Sequence, residues 1–304
     1  MRVLITGGAG FIGSHIAEAL QGKAEVRVFD SLRSGFEANL KGLDVEFIRG
    51  DIRDRAAVDA AMRGVDYVFH LAALISVPES MTKISECIEI NGLGMINVLE
   101  SAAAAKVRKL CFSTSAAIYG DNPVVPKVET MLPEPKSPYA VTKLDGEYYC
   151  KMFTAEGRLQ TACLRYFNVF GPRQDPKSAY AAAVPIFIDK ALRNEPLTIF
   201  GDGGQTRDFV FVKDIAQANI FFATHDFTGV HNVACGGRIT INDLAREIIR
   251  LTGSTSEIKY LPERAGDVRH SMASIDKLLA TGFRPQHTFA EGLAETVKAY
   301  KARM

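Results

Sequence analysis

The chain has 304 residues, 47% of them hydrophobic, with 36 basic and 35 acidic side chains and a formal net charge of +1. That is material for one large α/β domain, or for a domain with a smaller lobe. The balanced charge lacks the single-sign footprint by which nucleic acid or an anionic membrane is bound, so a small-molecule partner is expected.

The five cysteines, Cys87, Cys111, Cys150, Cys163 and Cys235, lie far apart, and no pair has the spacing of a zinc or redox site. No metal is expected, and they read as buried small hydrophobes in a reducing compartment. No apolar run approaches the roughly twenty residues of a membrane span. The N-terminus opens on Arg2 and a short apolar strand rather than a secretory leader, which points to the cytoplasm.

In chain order, apolar or β-branched runs at Val3 to Thr6, Val26 to Asp30, Val45 to Arg49, Tyr67 to Leu71, Leu110 to Ser113 and Ala162 to Tyr166 alternate with helical patterns such as Phe11 to Leu20 and Ala56 to Met62. Near-continuous apolar strands separated by helices predict a doubly wound parallel α/β sheet covered on both faces. After Tyr166 the rhythm breaks at Gly171, Pro172, Pro176, Pro185 and Pro196, where a smaller lobe begins. Arg207 to Thr224 reads as a strand turning into an apolar helix that returns to the sheet, and Thr240 to Thr252 as a helix of the second lobe with Asp243 in its start signal. The expected division is 1–166 plus about 205–230 for the sheet domain, and 167–204 plus 231–304 for a C-terminal α/β substrate lobe.

The first strand runs straight into Gly7-Gly8-Ala9-Gly10-Phe11-Ile12-Gly13, and a helix follows at once. Glycines at 7, 10 and 13 suit a turn that folds tightly, approaches a pyrophosphate and lets the helix pack on its strand. The helix N-terminus favours the phosphates. Asp30 closes the second strand, where a carboxylate can bind both ribose hydroxyls; it would repel a 2'-phosphate, so NAD is expected over NADP despite Arg27 and Arg33 nearby. Asp51 reads either as an adenine contact or as a helix N-cap.

Ser137-Pro138-Tyr139-Ala140-Val141-Thr142-Lys143 starts a helix, with serine as N-cap and proline at its first position, so Tyr139 and Lys143 stand on one face. An ammonium beside a phenol favours the phenolate, which can then take a proton from a hydroxyl group. Ser115 follows the strand ending near Ser113, at the carboxyl edge of the sheet. It can hold a reacting oxygen or simply cap a turn. His70, without a partner in the sequence, reads as structural.

Together, Gly7 to Gly13, Asp30, Ser115, Tyr139 and Lys143 resemble the extended short-chain dehydrogenase/reductase family, specifically its nucleotide-sugar epimerases. The resemblance covers essentially the whole chain. It continues in Arg165-Tyr166-Phe167-Asn168-Val169-Phe170-Gly171-Pro172, in Gly201-Asp202-Gly203 with Arg207-Asp208-Phe209, and in Arg264-Ala265-Gly266-Asp267. The resemblance implies a Rossmann domain and a cofactor-binding set that comprises Gly7, Gly10, Phe11, Ile12, Gly13, Asp30, Asp51, Ile52, Leu71, Ala72, Ala73, Asn91, Ser113, Tyr139, Lys143 and Tyr166. It further implies that Asn168, Arg207 and Arg264 bind the diphosphate of a UDP-sugar, that Asp267 binds the ribose, and that Thr198 and Phe200 lie near the uracil. Ile75, Ser115, Tyr139 and Ser271 would face the sugar. A homodimer through Glu86 to Ala105 and Tyr139 to Glu156 is implied as well.

The reaction so implied is epimerisation at C4, with Tyr139 taking the hydroxyl proton, hydride passing to NAD, and hydride returning to the other face of the 4-keto sugar. Ala116 and Ala117 stand where dehydratases and decarboxylases of the family usually carry an acid. Arg173-Gln174-Asp175-Pro176-Lys177-Ser178-Ala179-Tyr180 and Asp267-Val268-Arg269-His270-Ser271 resemble epimerases of UDP-N-acetylglucosamine and UDP-N-acetylgalactosamine. Galactose epimerases carry a lysine at the position of Ile75 and can carry a tyrosine at that of Ser271. The acetylated sugars are therefore expected, with activity on UDP-glucose and UDP-galactose beside them. A strict UDP-glucose epimerase, a UDP-glucuronate 4-epimerase, a reductase with exchanging cofactor and a non-enzymatic NAD-binding sensor are the alternatives.

Overall fold

Along the first strand, Val3 and Ile5 enter one hydrophobic core while Leu4 enters another, and all three are fully buried. Only a strand in a sheet covered on both faces buries its residues this way. The computed structural model describes residues 1–176, 182–263 and 269–303. Its main sheet comprises β1 (Arg2–Thr6), β2 (Glu25–Asp30), β3 (Glu46–Arg49), β4 (Tyr67–His70), β5 (Lys109–Ser115), β6 (Gln160–Tyr166) and β7 (Gly229–Val233). All pairs are parallel, in the order β7-β6-β5-β4-β1-β2-β3. The strand order reverses between β1 and β4, and in such sheets the crevice beyond the carboxyl ends at that point takes the ligand. This is a Rossmann fold.

The principal helices are α1 (Phe11–Ala19), α2 (Arg55–Ala61), α3 (Gly94–Ala104), α4 (Pro138–Ala155), α5 (Ala183–Leu192), α6 (Val212–Thr224), α7 (Ile241–Thr252) and α8 (Phe289–Lys301). One face of the sheet packs against α1 and α6 through Ile16, Leu20, Ile215 and Phe222. The other packs against α2, α3 and α4 through Met62, Val98, Leu99 and Cys150. Truncating any of these leucines or isoleucines to alanine leaves a cavity and costs about 2–5 kcal/mol. Among the described residues no helix is long and apolar enough to cross a membrane.

A third core joins Phe187, Ile188, Leu197, Phe211, Leu244, Ile248, Leu293 and Val297, uniting α5, α7 and α8. Around it lie short ribbons. Asn168–Phe170 pairs with Phe209–Phe211 and Leu197–Phe200 with Ile258–Leu261, while Thr206–Arg207 lies between Ile239–Thr240 and His270–Ser271.

The expected helix from Glu86 to Ala105 is broken. A short helix at Ile84–Ile88 passes through one wide π-type turn at Glu89–Leu93 before α3 begins. Inside that turn the Asn91 carboxamide bonds both the N–H and the carbonyl of Leu74 (2.7 and 3.1 Å) and the Thr142 hydroxyl (3.1 Å), contacts that a regular helix pitch would displace. β7 was not among the expected strands; it begins with Gly229, and the adjacent His231 and Asn232 break the apolar run that marks the other strands.

Candidate active site

A cleft of about 810 Å³ opens over the carboxyl ends of the strands at the switch point. Its lining includes Gly7, Gly10, Phe11, Ile12, Gly13, Asp30, Asp51, Ile52, Leu71, Ala72, Ala73, Ile75, Ser113, Ser115, Tyr139, Lys143 and Tyr166. The parallel sheet gathers these dispersed segments because every strand ends on the same side.

At one end of the cleft Gly7 turns the chain with φ +72°, where a Cβ would come within 2.7 Å of the Ala72 nitrogen. A Cβ on Gly13 would lie 2.4 Å from the Gly7 oxygen, so only glycine lets α1 sit this close to its strand. Among the described residues no side chain caps α1. The N–H groups of a helix's first turn have no partner inside the helix, so they offer an anion site at the cleft.

Asp30 ends β2 almost fully buried; one oxygen accepts from the Ala9 N–H (2.9 Å) and the other from the Leu32 N–H (2.8 Å). Burial raises its pKa, and those two bonds oppose the rise. Arg27, close in sequence, is committed elsewhere, to Glu46 (2.8 Å) and to the carbonyls of Ala61 and Arg63. Arg33 lines the cleft but is held by Glu79 (2.7 Å) and Glu86. Asp51 is not the cap of α2, a place taken by Asp54, whose side chain accepts from the Ala57 N–H at 3.1 Å. Its carboxylate pairs with Arg53, which holds its pKa below the usual range.

At the centre of the cleft, Ser137 caps α4 by accepting from the Ala140 N–H (3.2 Å), and Pro138 takes the first helical position. This aims Tyr139 and Lys143 at the end of β5. Lys143 is buried, donates to the Ser113 carbonyl at 2.8 Å, and lies 5.8 Å from the centre of the Tyr139 ring. Desolvation brings its pKa down to about 8. Tyr139 differs from expectation: burial is the largest influence and holds its phenol above the ordinary value, opposed by a hydrogen bond with Ser115. In the chain alone the lysine does not outweigh the lost solvation. Ser115 also accepts from the Ala117 N–H (3.1 Å), so the same hydroxyl caps a turn and meets the tyrosine. His70 bonds Thr6 (2.7 Å) and stacks on Phe112, with a pKa lowered by burial to about 3, as a neutral structural residue would.

Other residues named from the sequence stand apart from this cleft. Asn91 is buried behind its wall, bracing Leu74 and Thr142. Asn168, Thr198, Phe200, Arg207 and Ser271 belong to the ribbons of the second lobe. There Arg207 stands opposite Ser271 in parallel register, while Asn168 donates to the Asp208 carbonyl (3.1 Å). Arg264 and Asp267, and likewise Lys177 to Tyr180, lie outside the described residues. Two contributors escaped the sequence. Asp208, fully buried, accepts from the N–H groups of Cys235, Gly236 and Ala273 (3.0, 3.0 and 3.2 Å) and ties these loops to Arg207. Ser80 bonds the Tyr139 main chain at 3.2 Å. Asp208 was visible only as the neighbour of Arg207, and nothing in the sequence pointed to Ser80.

The cradle at Gly7 and Gly13, the uncapped helix and the carboxylate closing β2 fit a dinucleotide, and a tyrosine and lysine beside it fit the short-chain dehydrogenase/reductase class. The chain belongs to the NAD dependent epimerase/dehydratase family, whose model matches residues 3–236. It is an enzyme, and its cofactor is NAD. It is 43% identical to the UDP-N-acetylglucosamine 4-epimerase of Methanobrevibacter ruminantium, solved with UDP-N-acetylmuramic acid, over 100% of this chain and 99% of that one, with a TM-score of 0.96. The UDP-glucose 4-epimerase of Thermotoga maritima, solved with UDP-glucose, is 38% identical over 100% and 99%, with a TM-score of 0.95. The UDP-glucose 4-epimerase of Mycolicibacterium smegmatis is 35% identical over 99% of each chain.

Proposed function

We propose that the protein interconverts C4 epimers of a UDP-hexose, above all UDP-N-acetylglucosamine and UDP-N-acetylgalactosamine. The observation that carries this reading is the convergence of Ser115, Tyr139 and Lys143 on the cleft that also contains Asp30 and the glycine turn. Gly7 to Gly13 would hold the pyrophosphate of NAD and Asp30 its adenosine ribose, with Asp51 and Ile52 toward adenine. NAD, when bound, supplies a hydride acceptor that is also the donor on return. Ser115 orients the C4 oxygen, and Tyr139 takes its proton and gives one back after the 4-keto sugar has turned over. Lys143 keeps positive potential beneath the phenol.

Hydrocarbon stands where an elimination would need an acid: Ala116 and Ala117 follow Ser115 directly. In the second lobe Asn168, Arg207 and Arg264 would take the diphosphate, which suits forked, permanently charged donors. Asp267 would bind the ribose, with Thr198 and Phe200 near the base. A serine at 271 leaves room for an acetamido group, and the 43% identical relative is named for an acetylated sugar. UDP-glucose and UDP-galactose remain the second reading, favoured by the names of the other two relatives.

The lobes divide functionally as 1–166 with about 205–230 for NAD and 167–204 with 231–304 for the UDP-sugar. The protein works as a homodimer. Support comes from Val141, Tyr148 and Met152, exposed along α4, and from Ile84, Ile88 and Leu93, exposed on the segment before α3. Light scattering at micromolar concentration reads this directly, and a monomer would overturn it. To test the activity, the purified protein is incubated with UDP-N-acetylglucosamine and separately with UDP-glucose, without added reductant, and the sugars are resolved by NMR. C4 epimers are expected, faster from the acetylated sugar; unchanged sugars in both tubes would refute the reading.

A further inference from the structure

The start of α4 poses a hydrogen-bond question. A helix leaves its first N–H groups without partners inside the helix. Here Ser137 accepts from the Ala140 N–H (3.2 Å), the Ser137 carbonyl accepts from the Val141 N–H (3.0 Å), and Pro138 has no N–H to satisfy. One donor is left over, the main-chain N–H of Tyr139. It is taken by the hydroxyl of Ser80 at 3.2 Å, from a residue 59 positions earlier.

Ser80 is fully buried, and its hydroxyl proton goes to the Val77 carbonyl at 2.6 Å. Its oxygen is therefore oriented toward α4 as an acceptor. The carbonyl of Tyr139 is held as well, by the Thr142 hydroxyl at 2.9 Å, which also receives the Asn91 carboxamide. Both peptide groups of the tyrosine are thus pinned from outside the regular helix ladder. On the side of Ser80 the pin belongs to the short helix Val77–Thr82, which follows Ile75 at the cleft and carries Glu79, the partner of Arg33.

We propose that Ser80 is a positioning residue for Tyr139: through the tyrosine's main-chain N–H it fixes where the phenol stands relative to Ser115 and couples that position to the Val77–Thr82 helix, which follows Ile75 at the cleft. This rests on the assignment of Tyr139 as the proton acceptor. Ser80 itself is fully buried and is not among the residues that line the cleft. A misplacement of the order of 1 Å at a reacting group can cost about a hundredfold in turnover.

The test uses the enzyme as purified, with wild type in parallel: kcat, KM for the UDP-sugar, bound NAD content and melting temperature of Ser80→Ala, Ser80→Cys and Ser80→Thr. Expected for Ser80→Ala is a kcat lowered by about tenfold to a hundredfold, with KM within about twofold and NAD content unchanged. Ser80→Cys, nearly the same size but a poor acceptor, should behave likewise. Ser80→Thr, which keeps the hydroxyl, should recover most of kcat. A folded Ser80→Ala or Ser80→Cys with wild-type kcat overturns the proposal, as does a loss confined to KM. If no variant lacking the hydroxyl folds, the role is structural and the proposal also fails. Absence of turnover in the wild type would instead defeat the assignment of the reaction.

Discussion

Lys143 donates to the main-chain oxygen of Ser113 at 2.8 Å, two residues before Ser115, with its ammonium buried beneath the Tyr139 ring. One strand end thus anchors the lysine and also presents the serine. The burial that puts the charge there also opposes it: the pKa of Lys143 falls from 10.5 to about 8.

That depression fixes the sign of a stability effect. Between about 8 and 10.5 the unfolded chain binds more protons than the folded one, so stability rises with pH across this window. Below about 8 the buried ammonium costs its full amount, about 3 kcal/mol at 1.36 kcal/mol per pH unit. Lys143→Met should therefore melt no lower than wild type at pH 7 while losing turnover by a factor of about 10² or more. Its advantage should shrink as pH approaches 10. Thermal unfolding at pH 7 and 9.5 checks this, and a variant clearly less stable at pH 7 would contradict it.

Burial holds the Tyr139 phenol up, and its hydrogen bond with Ser115 pulls it down. Ser115→Ala should therefore move the acidic limb of the kcat profile to higher pH. The lost turnover, about tenfold to a hundredfold at pH 7, is partly recovered in alkali. A pH series of initial rates decides, and an unmoved limb would show that the serine does not tune the tyrosine.

At the other end of the cleft Asp30 has two main-chain donors and, among the described residues, no cation to neutralise it. Asp30→Ala should weaken NAD retention about tenfold to a hundredfold, the worth of a charged hydrogen bond or two, while wild type ignores NADP. Bound nucleotide content after gel filtration reports both, and equal use of NADP by wild type would contradict the role of Asp30.

Much of this site was legible because its determinants are local. Gly7 to Gly13 act through their own turn, and Ser137, Pro138, Tyr139 and Lys143 share two turns of one helix. Expected strand and helix ends fell within a few residues of the observed ones, and Thr240 caps α7 by accepting from the Asp243 N–H at 2.9 Å, as its spacing implied. What stayed hidden acts across long separations. Ser80 reaches Tyr139 over 59 residues and Asp208 reaches Ala273 over 65, and no periodicity records such contacts. The balance between charge and desolvation at Tyr139 was equally invisible, because spacing reports a neighbour but not the loss of water around it.

Ser271 stands opposite Arg207 in the ribbon of the second lobe. If its small side chain makes room for an acetamido group, Ser271→Tyr should depress turnover of UDP-N-acetylglucosamine about tenfold or more and spare UDP-glucose, since pocket volume is worth about 1–3 kcal/mol. Competition between the two sugars in one tube measures the ratio. Equal loss on both would remove Ser271 from the sugar pocket.

The central claim, that C4 is oxidised and re-reduced within one bound complex, is tested most directly with UDP-N-acetylglucosamine deuterated at C4, incubated with the purified protein in ordinary water. Deuterium retained at C4 of the epimer, by NMR and mass spectrometry, is the predicted result. An epimer carrying solvent hydrogen at C4 would contradict the account, because the inversion would then run by proton exchange rather than by return of the same hydride.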